Sequence, residues 1–378
     1  MLMSIHKIPS PCFVLDESRL RNNLEILKRI QDEANVEIIL ALKGFAMWSA
    51  FPLIREYLKS ATASSLNEAE LCYEHMRLKA HTYAVAYSSD EFARIAKLSS
   101  HITFNSINQY ESFKNHLEDY DVSCGLRVNP EFSDVKTDLY NPSASNSRLG
   151  ITKDSFPNEL PNGIEGLHFH VLCESDSYVL EGVLNALEEK FGSILHKLKW
   201  INMGGGHAIT RNGYDIEHLI ELLRNFKSKY NLDVVLEPGS AVAWQTGELH
   251  TSILDIVENG GVKTAIIDAS FTCHMPDCLE MPYRPSIQEG FETEKQGAYK
   301  YRIGGVSCLA GDFLEAYSFD QPLSIGDPIT FNDMMHYTLV KTTAFNGVKH
   351  PSIGIIDLNG NFKVIKEFGY QDYRDRLS

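Results

Sequence analysis

Short apolar segments alternate with longer amphipathic ones over the first two thirds of the chain. This alternation is typical of βα units, in which a buried strand is followed by a helix that covers the sheet. Helical spacing of apolar positions predicts helices over Leu66–Met76, Asp90–Leu98 and Tyr178–Leu198. The segments predicted as strands are Val36–Lys43, Ser60–Ser64, His81–Tyr87, His101–Asn105, Val122–Val128, Gly163–Val171, Trp200–Met203 and Asp233–Glu237. This pattern predicts an α/β fold, a TIM-like (β/α)8 barrel, with a doubly wound open sheet as the alternative.

The pattern changes after Gly239, where apolar segments are joined by turns. These predict the strands Leu249–Val257, Val262–Asp268, Lys300–Ile303, Pro328–Phe331 and Thr338–Thr343. Ser352–Glu367 predicts a hairpin that turns at Asn359-Gly360-Asn361. The opening segment Ile5–Leu15 precedes the first barrel strand, and we expect it to pair with the later strands. The sequence therefore predicts a barrel over 13–244 and a mostly β domain over 245–378 that includes 1–12.

The charge of the chain argues against nucleic acid as a partner. Acidic residues outnumber basic ones by 50 to 35 in 378 residues, and no basic patch interrupts this surplus. Such a surface repels phosphate backbones. Seven cysteines without regular spacing favour a reducing compartment. Residues 1–10 hold no long apolar segment, and no stretch is long enough to span a bilayer. We therefore expect a cytoplasmic protein without a membrane partner.

Reactive residue types lie where the predicted barrel strands end. Barrel enzymes carry out their chemistry at the carboxyl ends of the strands, so we expect these residues to meet at one face. The residues at these ends are Lys43, Ser64, Asn105, Arg127, His170, Gly204, Gly205, Gly206 and Glu237.

Three of these ends suggest a particular chemistry. Burial behind a strand would lower the pKa of Lys43 and free a nucleophilic amine, although a lone lysine is more often on the surface. The triple glycine Gly204–Gly206 allows backbone N–H groups to approach an anion, although tight turns also need glycine. Glu237 could hold a proton on a ring nitrogen, with a surface acid as the alternative.

A metal site is a competing interpretation of the histidines. His168 and His170 point the same way on a strand, and Cys173 could complete a zinc site. No further ligand stands at an obvious spacing, and His207 is the nearest. A second group, Cys273-His274 with Cys278, is equally incomplete. We favour His170 as a residue that lies flat against an aromatic cofactor ring over His170 as a metal ligand, so we expect no metal.

Four motifs occur in an order that resembles a known family. They are Ala-Leu-Lys-Gly-Phe-Ala at 41–46, Gly-Leu-His-Phe-His-Val-Leu-Cys-Glu at 166–174, His-Met-Pro-Asp at 274–277 with Met-Pro-Tyr-Arg-Pro at 281–285, and Cys-Leu-Ala-Gly-Asp at 308–312. Together they resemble the fold-type III, pyridoxal-phosphate-dependent decarboxylases, which are built like alanine racemase and ornithine decarboxylase. Within these, the chain looks like the carboxynorspermidine (carboxyspermidine) decarboxylases, over nearly its whole length.

The resemblance implies which residues hold the cofactor, pyridoxal 5'-phosphate. Lys43 resembles the lysine that forms the imine with its aldehyde, and His170 the histidine stacked on its ring. Glu237 resembles the carboxylate on the ring nitrogen. The other implied cofactor contacts are Arg127, Cys173, Gly204, Gly205, Gly206 and Tyr337, and Glu68 matches a glutamate after the second strand.

The resemblance also implies a reaction and a substrate. The expected activity is decarboxylation of carboxynorspermidine or carboxyspermidine to norspermidine or spermidine, in polyamine biosynthesis. Cys308 is expected to protonate Cα, and Cys308 with Asp312 resembles a pair that a partner subunit contributes in a homodimer with shared active sites. His274, Asp277 and Asp312 are the residues expected to bind the substrate. Arg284 is left without a role.

Two departures and three rival functions accompany this interpretation. Ser240 follows Glu237-Pro238-Gly239 where ornithine decarboxylases carry a phosphate-binding arginine, and Thr62 stands where they have an aspartate. Both departures make ornithine doubtful as the substrate.

The rival functions are diaminopimelate decarboxylase, a non-catalytic pyridoxal-phosphate-binding protein, and a metal-dependent barrel hydrolase that uses His168, His170 and Cys173.

Overall fold

The computed structural model describes residues 8–378. Residues 5–7 of the expected opening strand therefore lie outside the described part. The described chain forms two compact units, one of residues 21–242 and one of residues 8–20 with 243–378.

The first unit contains a closed parallel barrel. Its strands are Glu37–Ile38 continuing as Leu40–Ala41, then Ala61–Ala63, Ala80–Tyr83, Ser99–Phe104, Ser123–Arg127, Ile164–His168, Trp200–Asn202 and Asp233–Leu236. Glu37–Ile38 pairs with the last strand and Leu40–Ala41 with the second, so the sheet closes on itself. The predicted barrel is confirmed, and each predicted strand corresponds to one of these.

Small residues make room for a large one inside this barrel. The Trp200 ring lies against Gly125 and Gly166, where an added Cβ would come within 2.3 and 2.1 Å of the ring. A side chain at either glycine would displace the indole, because barrel interiors are filled by close-packed side chains.

The helices of residues 8–243 include the three that were predicted. Their bounds are Glu17–Ala34, Phe51–Tyr57, Leu66–Leu71, Phe92–Leu98, Ile107–Phe113, Ser177–Leu195, Ile216–Tyr230 and Ser240–Ala243. The predicted helix Leu66–Met76 is confirmed, with a π-helical turn over Cys72–Met76. The predicted helices starting at Asp90 and Tyr178 are also confirmed, as Phe92–Leu98 and Ser177–Leu195. The latter begins after Asp176, whose side chain accepts from the N–H groups of Tyr178 and Val179.

The second unit is built around a mixed sheet. Its strands are, in spatial order, Phe313–Phe319, Tyr299–Gly304, Val262–Ile267, Gly247–Asn259, Cys12–Asp16, Ser352–Ile356 and Phe362–Lys366, and Pro328–Asn332 also pairs with Gly247–Asn259. Its short helices are Phe271–His274, Asp277–Glu280, Tyr337–Val340 and Tyr370–Arg374. Pairing of Cys12–Asp16 with Gly247–Asn259 confirms the expected partner of the opening segment for its described part.

One strand predicted in this unit is wrong, and one strand of the structure was not predicted. The hairpin over 352–367 is confirmed, and Asp357 accepts the N–H groups of Asn359 and Asn361 in its turn. The strand predicted over Thr338–Thr343 is wrong, because the helix Tyr337–Val340 satisfies its backbone groups locally, with Lys341 N–H donating to Tyr337. The strand Phe313–Phe319 was not predicted, because Glu315 interrupts its apolar pattern.

Candidate active site

Lys43 lies in a tight turn just beyond the first barrel strand. The N–H groups of Gly44 and Phe45 both donate to Ala41, and a Cβ on Gly44 would come within 2.7 Å of the Gly239 Cα. Only glycine therefore permits this approach of the two strand ends. The turn directs the Lys43 Nζ to within 3.2 Å of His170 Nε2.

The surroundings of Lys43 favour a neutral amine. The residue as a whole is exposed, yet the protein around its amine lowers the pKa of Lys43 by desolvation, and the charge of Arg127 acts in the same direction. Desolvation and the charge of Lys43 also hold the pKa of His170 well below its usual value. The Gly205 N–H donates to His170 Nδ1 at 2.9 Å, so a neutral ring carries its proton on Nε2, facing Lys43. A neutral lysine amine, as favoured here for Lys43, is a good nucleophile.

Glu237 is the buried acid of the barrel mouth. It is 9% exposed, and its Oε1 accepts from Asn202 Nδ2 at 2.6 Å. His168 Nε2 lies 3.6 Å from its Oε2. Burial alone would raise the pKa of this acid, but His168 and Asn202 outweigh burial and lower the pKa of Glu237 to about 2. The carboxylate is therefore charged at neutral pH.

The triple glycine packs tightly against neighbouring strand ends. Gly204 and Gly206 have φ of +70° and +86°, and an added Cβ on Gly205 would come within 2.1 Å of the Glu237 carbonyl oxygen. The Gly204 N–H donates to Asn202 Oδ1 at 2.9 Å. The Gly205 N–H donates to His170, as above. Two of the three N–H groups expected to bind phosphate are thus engaged by side chains of the protein.

Arg127 and Glu68 complete the group around Lys43. Arg127 is 4% exposed, donates from Nη2 to the His170 carbonyl at 3.0 Å and lies over the Tyr83 ring at 4.7 Å. Glu68 accepts the Ser64 N–H at 2.6 Å. Burial raises the pKa of Glu68, opposed by that contact and by Lys43. Cys173 is exposed and interacts electrostatically with Lys43. The structure therefore gathers the barrel residues selected from the sequence at one mouth.

In the second unit, Asp312 is committed to the protein itself. It is 4% exposed, and its Oδ1 accepts from the N–H groups of Phe271 and Thr272 at 2.7 and 3.1 Å. Its Oδ2 accepts from the N–H and Oγ of Ser307 at 3.1 and 2.6 Å. With four donors already bound, this carboxylate holds the loop that carries Cys308. Cys308 is exposed, and its backbone N–H donates to the side-chain oxygen of Asn346.

Asp277 belongs to an acidic pair that holds a lysine. The Lys341 ammonium contacts Asp277 and donates to Glu280 at 2.6 Å. Tyr337, half-buried, begins the helix that ends just before Lys341. His274 is fully buried, with its Nδ1 accepting the Ser270 N–H. Arg284 donates to the Ala316 carbonyl at 2.6 Å, which is a structural use of that side chain.

Asn202 and Lys341 have no expected role in the sequence, and His168 was expected only as a metal ligand. Asn202 carries no signal of its own, because it is one more residue of the strand before the glycines. His168 ends the strand Ile164–His168, two residues before His170, and this spacing is the signal for a shared site. Among residues 8–378, three or more metal-ligating side chains nowhere come together.

Comparison with known proteins decides the family. Residues 12–335 match the family described as pyridoxal-dependent decarboxylase, C-terminal sheet domain. The chain belongs to this family. It is therefore a pyridoxal-phosphate-dependent decarboxylase, as the resemblance implied. The barrel mouth fits this cofactor, because it offers an amine of lowered pKa for an aldehyde and a buried, ionised acid for a ring nitrogen.

Several decarboxylases are similar to this chain. Carboxyaminopropylagmatine decarboxylase of Synechocystis sp. is 49% identical over 99% of this chain and 96% of the relative. Carboxynorspermidine/carboxyspermidine decarboxylase of Campylobacter jejuni is 44% identical over 98% of this chain and 99% of the relative. The crystal structure of carboxynorspermidine decarboxylase of that organism, complexed with norspermidine, has a TM-score of 0.91 at 43% identity, covering 98% of this chain and 100% of that one. Diaminopimelate decarboxylase of Aquifex aeolicus is only 24% identical, over 66% of this chain and 62% of the relative.

The helices of the described residues include none with both the length and the apolar composition for crossing a membrane.

Buried histidines should make the stability of the barrel depend on pH. Burial lowers the pKa of His81 to about 3, aided by His101, and lowers the pKa of His207 to about 4. Below the ordinary histidine pKa of 6.5 the unfolded chain takes up protons that the folded barrel does not. Stability then falls by about 1.4 kcal/mol per pH unit for each histidine, until the folded pKa is reached.

We expect the stability of His81→Gln to fall less steeply between pH 6.5 and about pH 4. The slope should be smaller by about 1.4 kcal/mol per pH unit, because one histidine fewer takes up a proton on unfolding. Thermal unfolding of the cofactor-free protein across this range measures it. The exposed His116 supplies the matched control, His116→Gln. An unchanged pH slope in His81→Gln would show that His81 is protonated in the folded barrel.

Proposed function

We propose that this enzyme decarboxylates carboxynorspermidine and carboxyspermidine, giving norspermidine and spermidine in polyamine biosynthesis. The observation that carries the proposal is the similarity, at 43–44% identity over nearly the whole chain, to an enzyme named for these substrates and seen with norspermidine. The acidic pair Asp277 and Glu280 supports it, because a polyamine tail is cationic. Diaminopimelate has a second carboxylate instead.

Carboxyaminopropylagmatine is a second candidate substrate. The favouring observation is the 49% identity to the Synechocystis enzyme named for it. Its tail ends in a guanidinium, which two neighbouring carboxylates can bind as well as an ammonium. Both candidates share the same reacting end, so the mechanism below serves either.

The barrel residues divide the work of the reaction. When bound, pyridoxal phosphate supplies the electron sink that makes loss of CO2 from an α-amino acid possible. Lys43 would hold the cofactor through its aldehyde, and His170 would hold its ring. Glu237 holds a proton on the ring nitrogen. Arg127 holds the segment that carries His170. The residues proposed to bind the phosphate are Cys173, Gly206 and Tyr337.

The β domain is proposed to complete the site as part of a homodimer. In this proposal the barrel, 13–244, binds the cofactor, and 245–378 with 1–12 adds Cys308 to the site of the partner subunit. Asp312 and His274 support the substrate-facing loops, and Asp277 faces the tail. Free cysteines at all seven positions suit a cytoplasmic enzyme.

Cys308→Ala should retain the cofactor and lose the proton donor for Cα. We expect turnover to fall by about 10² to 10³-fold, the usual contribution of a positioned acid, with unchanged cofactor absorbance. Mixing Lys43→Ala with Cys308→Ala protein should restore part of the activity, since one of two shared sites is then intact. Cys124→Ala, at a buried thiol, is the control. Full turnover by Cys308→Ala would exclude it as the acid, and no restoration after proven subunit exchange would exclude shared sites.

Asp277→Asn tests the polyamine specificity. Removing one charge from the acidic pair should raise KM for carboxyspermidine by about tenfold, the value of a charge-assisted hydrogen bond, while kcat changes little. Steady-state kinetics with carboxyspermidine and diaminopimelate measure this, with Glu258→Gln at an exposed position as the control. An unchanged KM would mean that Asp277 serves Lys341 alone, and faster turnover of diaminopimelate would overturn the proposed substrate.

A further inference from the structure

Asn202 connects the buried acid to the triple glycine. It ends the strand Trp200–Asn202 and is 3% exposed. Its Nδ2 donates to Glu237 Oε1 at 2.6 Å, and its Oδ1 accepts the Gly204 N–H at 2.9 Å. Both ends of this amide are therefore in use.

The Gly204 N–H fixes the direction of the Asn202 amide. An amide oxygen only accepts and an amide nitrogen only donates. If the amide were reversed, its NH2 would face the Gly204 N–H and its oxygen would face the Glu237 carboxylate. Because the backbone N–H cannot exchange its role, the Asn202 NH2 must point to Glu237.

Further contacts hold the acid from other sides. The Glu237 N–H donates to the Gly204 carbonyl at 2.7 Å, which locks its backbone to the same glycine. His168, 2% exposed, stands 3.6 Å from the other carboxylate oxygen. The buried acid thus has the Asn202 amide hydrogen-bonded to one carboxylate oxygen and the His168 ring beside the other.

The next glycine also serves the ring end of the cofactor site. The Gly205 N–H donates to His170 Nδ1 at 2.9 Å and so sets the tautomer of the ring that faces Lys43. Gly204 and Gly205 together orient Glu237, through Asn202, and His170. Neither N–H group is directed to a phosphate in this arrangement.

We propose that Asn202 is a positioning residue that, held by Gly204, keeps Glu237 ionised and aimed at the ring nitrogen, and that the first two glycines serve the ring end of the site. Phosphate binding is left to Gly206 and to residues outside the glycine segment. The inference rests on the proposed role of Glu237.

Two variants separate this role from a general effect on folding. Asn202→Leu removes both contacts at similar volume. Asn202→Asp keeps the acceptor for Gly204 but places an oxygen against Glu237, so the two acids must share a proton. Asn129→Leu is the control, because Asn129 is another buried asparagine whose Oδ1 binds the Glu131 N–H and Ser143.

Two readouts besides activity are needed. The first is the ¹⁵N chemical shift of the ring nitrogen of labelled, bound pyridoxal phosphate, which reports its protonation. The second is the ratio of affinities for pyridoxal phosphate and pyridoxal, which reports the phosphate contacts. We expect both Asn202 variants to move the ¹⁵N signal toward the unprotonated form, as Glu237→Gln does. Affinity should fall by about tenfold for both ligands, leaving their ratio and the Asn129→Leu signal unchanged.

The outcomes are distinct. A ¹⁵N signal that moves in Glu237→Gln and stays in both Asn202 variants would overturn the role of Asn202. A falling affinity ratio in Asn202→Leu would show that Gly204 serves the phosphate, which also overturns the proposal. A signal that does not move in Glu237→Gln would refute the proposed role of Glu237 itself.

Discussion

Replacing Lys43 with alanine is expected to remove covalent attachment of the cofactor and to lower the decarboxylation rate by about 10⁴-fold or more. The amine is held in a turn that only glycine at 44 allows, and its lowered pKa suits the proposed role of Lys43 as the nucleophile of the barrel mouth. His170 cannot replace Lys43 as the nucleophile, because the ring nitrogen nearest to Lys43 carries a proton. Visible absorbance of the bound cofactor and steady-state turnover measure the loss.

The control for this variant is Lys59→Ala. Lys59 is exposed and donates to the carbonyl oxygens of Arg55 and Glu56, so its loss should leave absorbance and turnover unchanged. Borohydride reduction followed by peptide mapping locates the modified lysine in the wild-type protein. A reduced cofactor found on any other lysine would refute the assignment of Lys43.

Glu237→Gln is expected to lower kcat by about 10² to 10³-fold while the protein still binds pyridoxal phosphate. The isosteric amide keeps a partner for Asn202 but has no charge, so the ring nitrogen loses its proton and the electron sink weakens. Without that charge the site resembles one suited to racemisation. Turnover and the partition between decarboxylation and racemisation of a substrate analogue measure this change.

Glu165→Gln is the matched control for the Glu237 variant. Glu165 lies near the amino end of the barrel strand Ile164–His168, where it accepts from Ser123 and contacts Lys199. Its loss should cost stability without changing kcat. If Glu237→Gln retained the wild-type kcat, the charge of this acid would have no part in the reaction.

The barrel site could be predicted because its residues lie at strand ends, and strand ends are visible as the limits of apolar segments. Lys43, His170 and Glu237 each close such a segment, and the parallel topology alone brings them together. Asn202 could not be recognised this way, because its role depends on an amide direction set by a backbone N–H. Hydrogen-bond direction has no signature in hydrophobic pattern.

Residues of the β domain were harder to interpret for a related reason. Asp312 was expected to meet the substrate, yet the structure gives it four donors from Phe271, Thr272 and Ser307. The partner of Asp277, Lys341, is 64 residues away in sequence. Contacts between loops so far apart depend on the packed fold. For the same reason, Thr338–Thr343 was predicted as a strand although Tyr337–Val340 is a helix.

Product identification by mass spectrometry tests the central claim most directly. The protein with pyridoxal phosphate would receive carboxynorspermidine, carboxyspermidine, carboxyaminopropylagmatine and diaminopimelate at equal concentrations, with Lys43→Ala as the blank. The proposed function predicts early formation of norspermidine or spermidine. Aminopropylagmatine as the first product would establish the second candidate, and lysine as the main product would contradict the polyamine assignment while leaving the family, the cofactor and the barrel site in place.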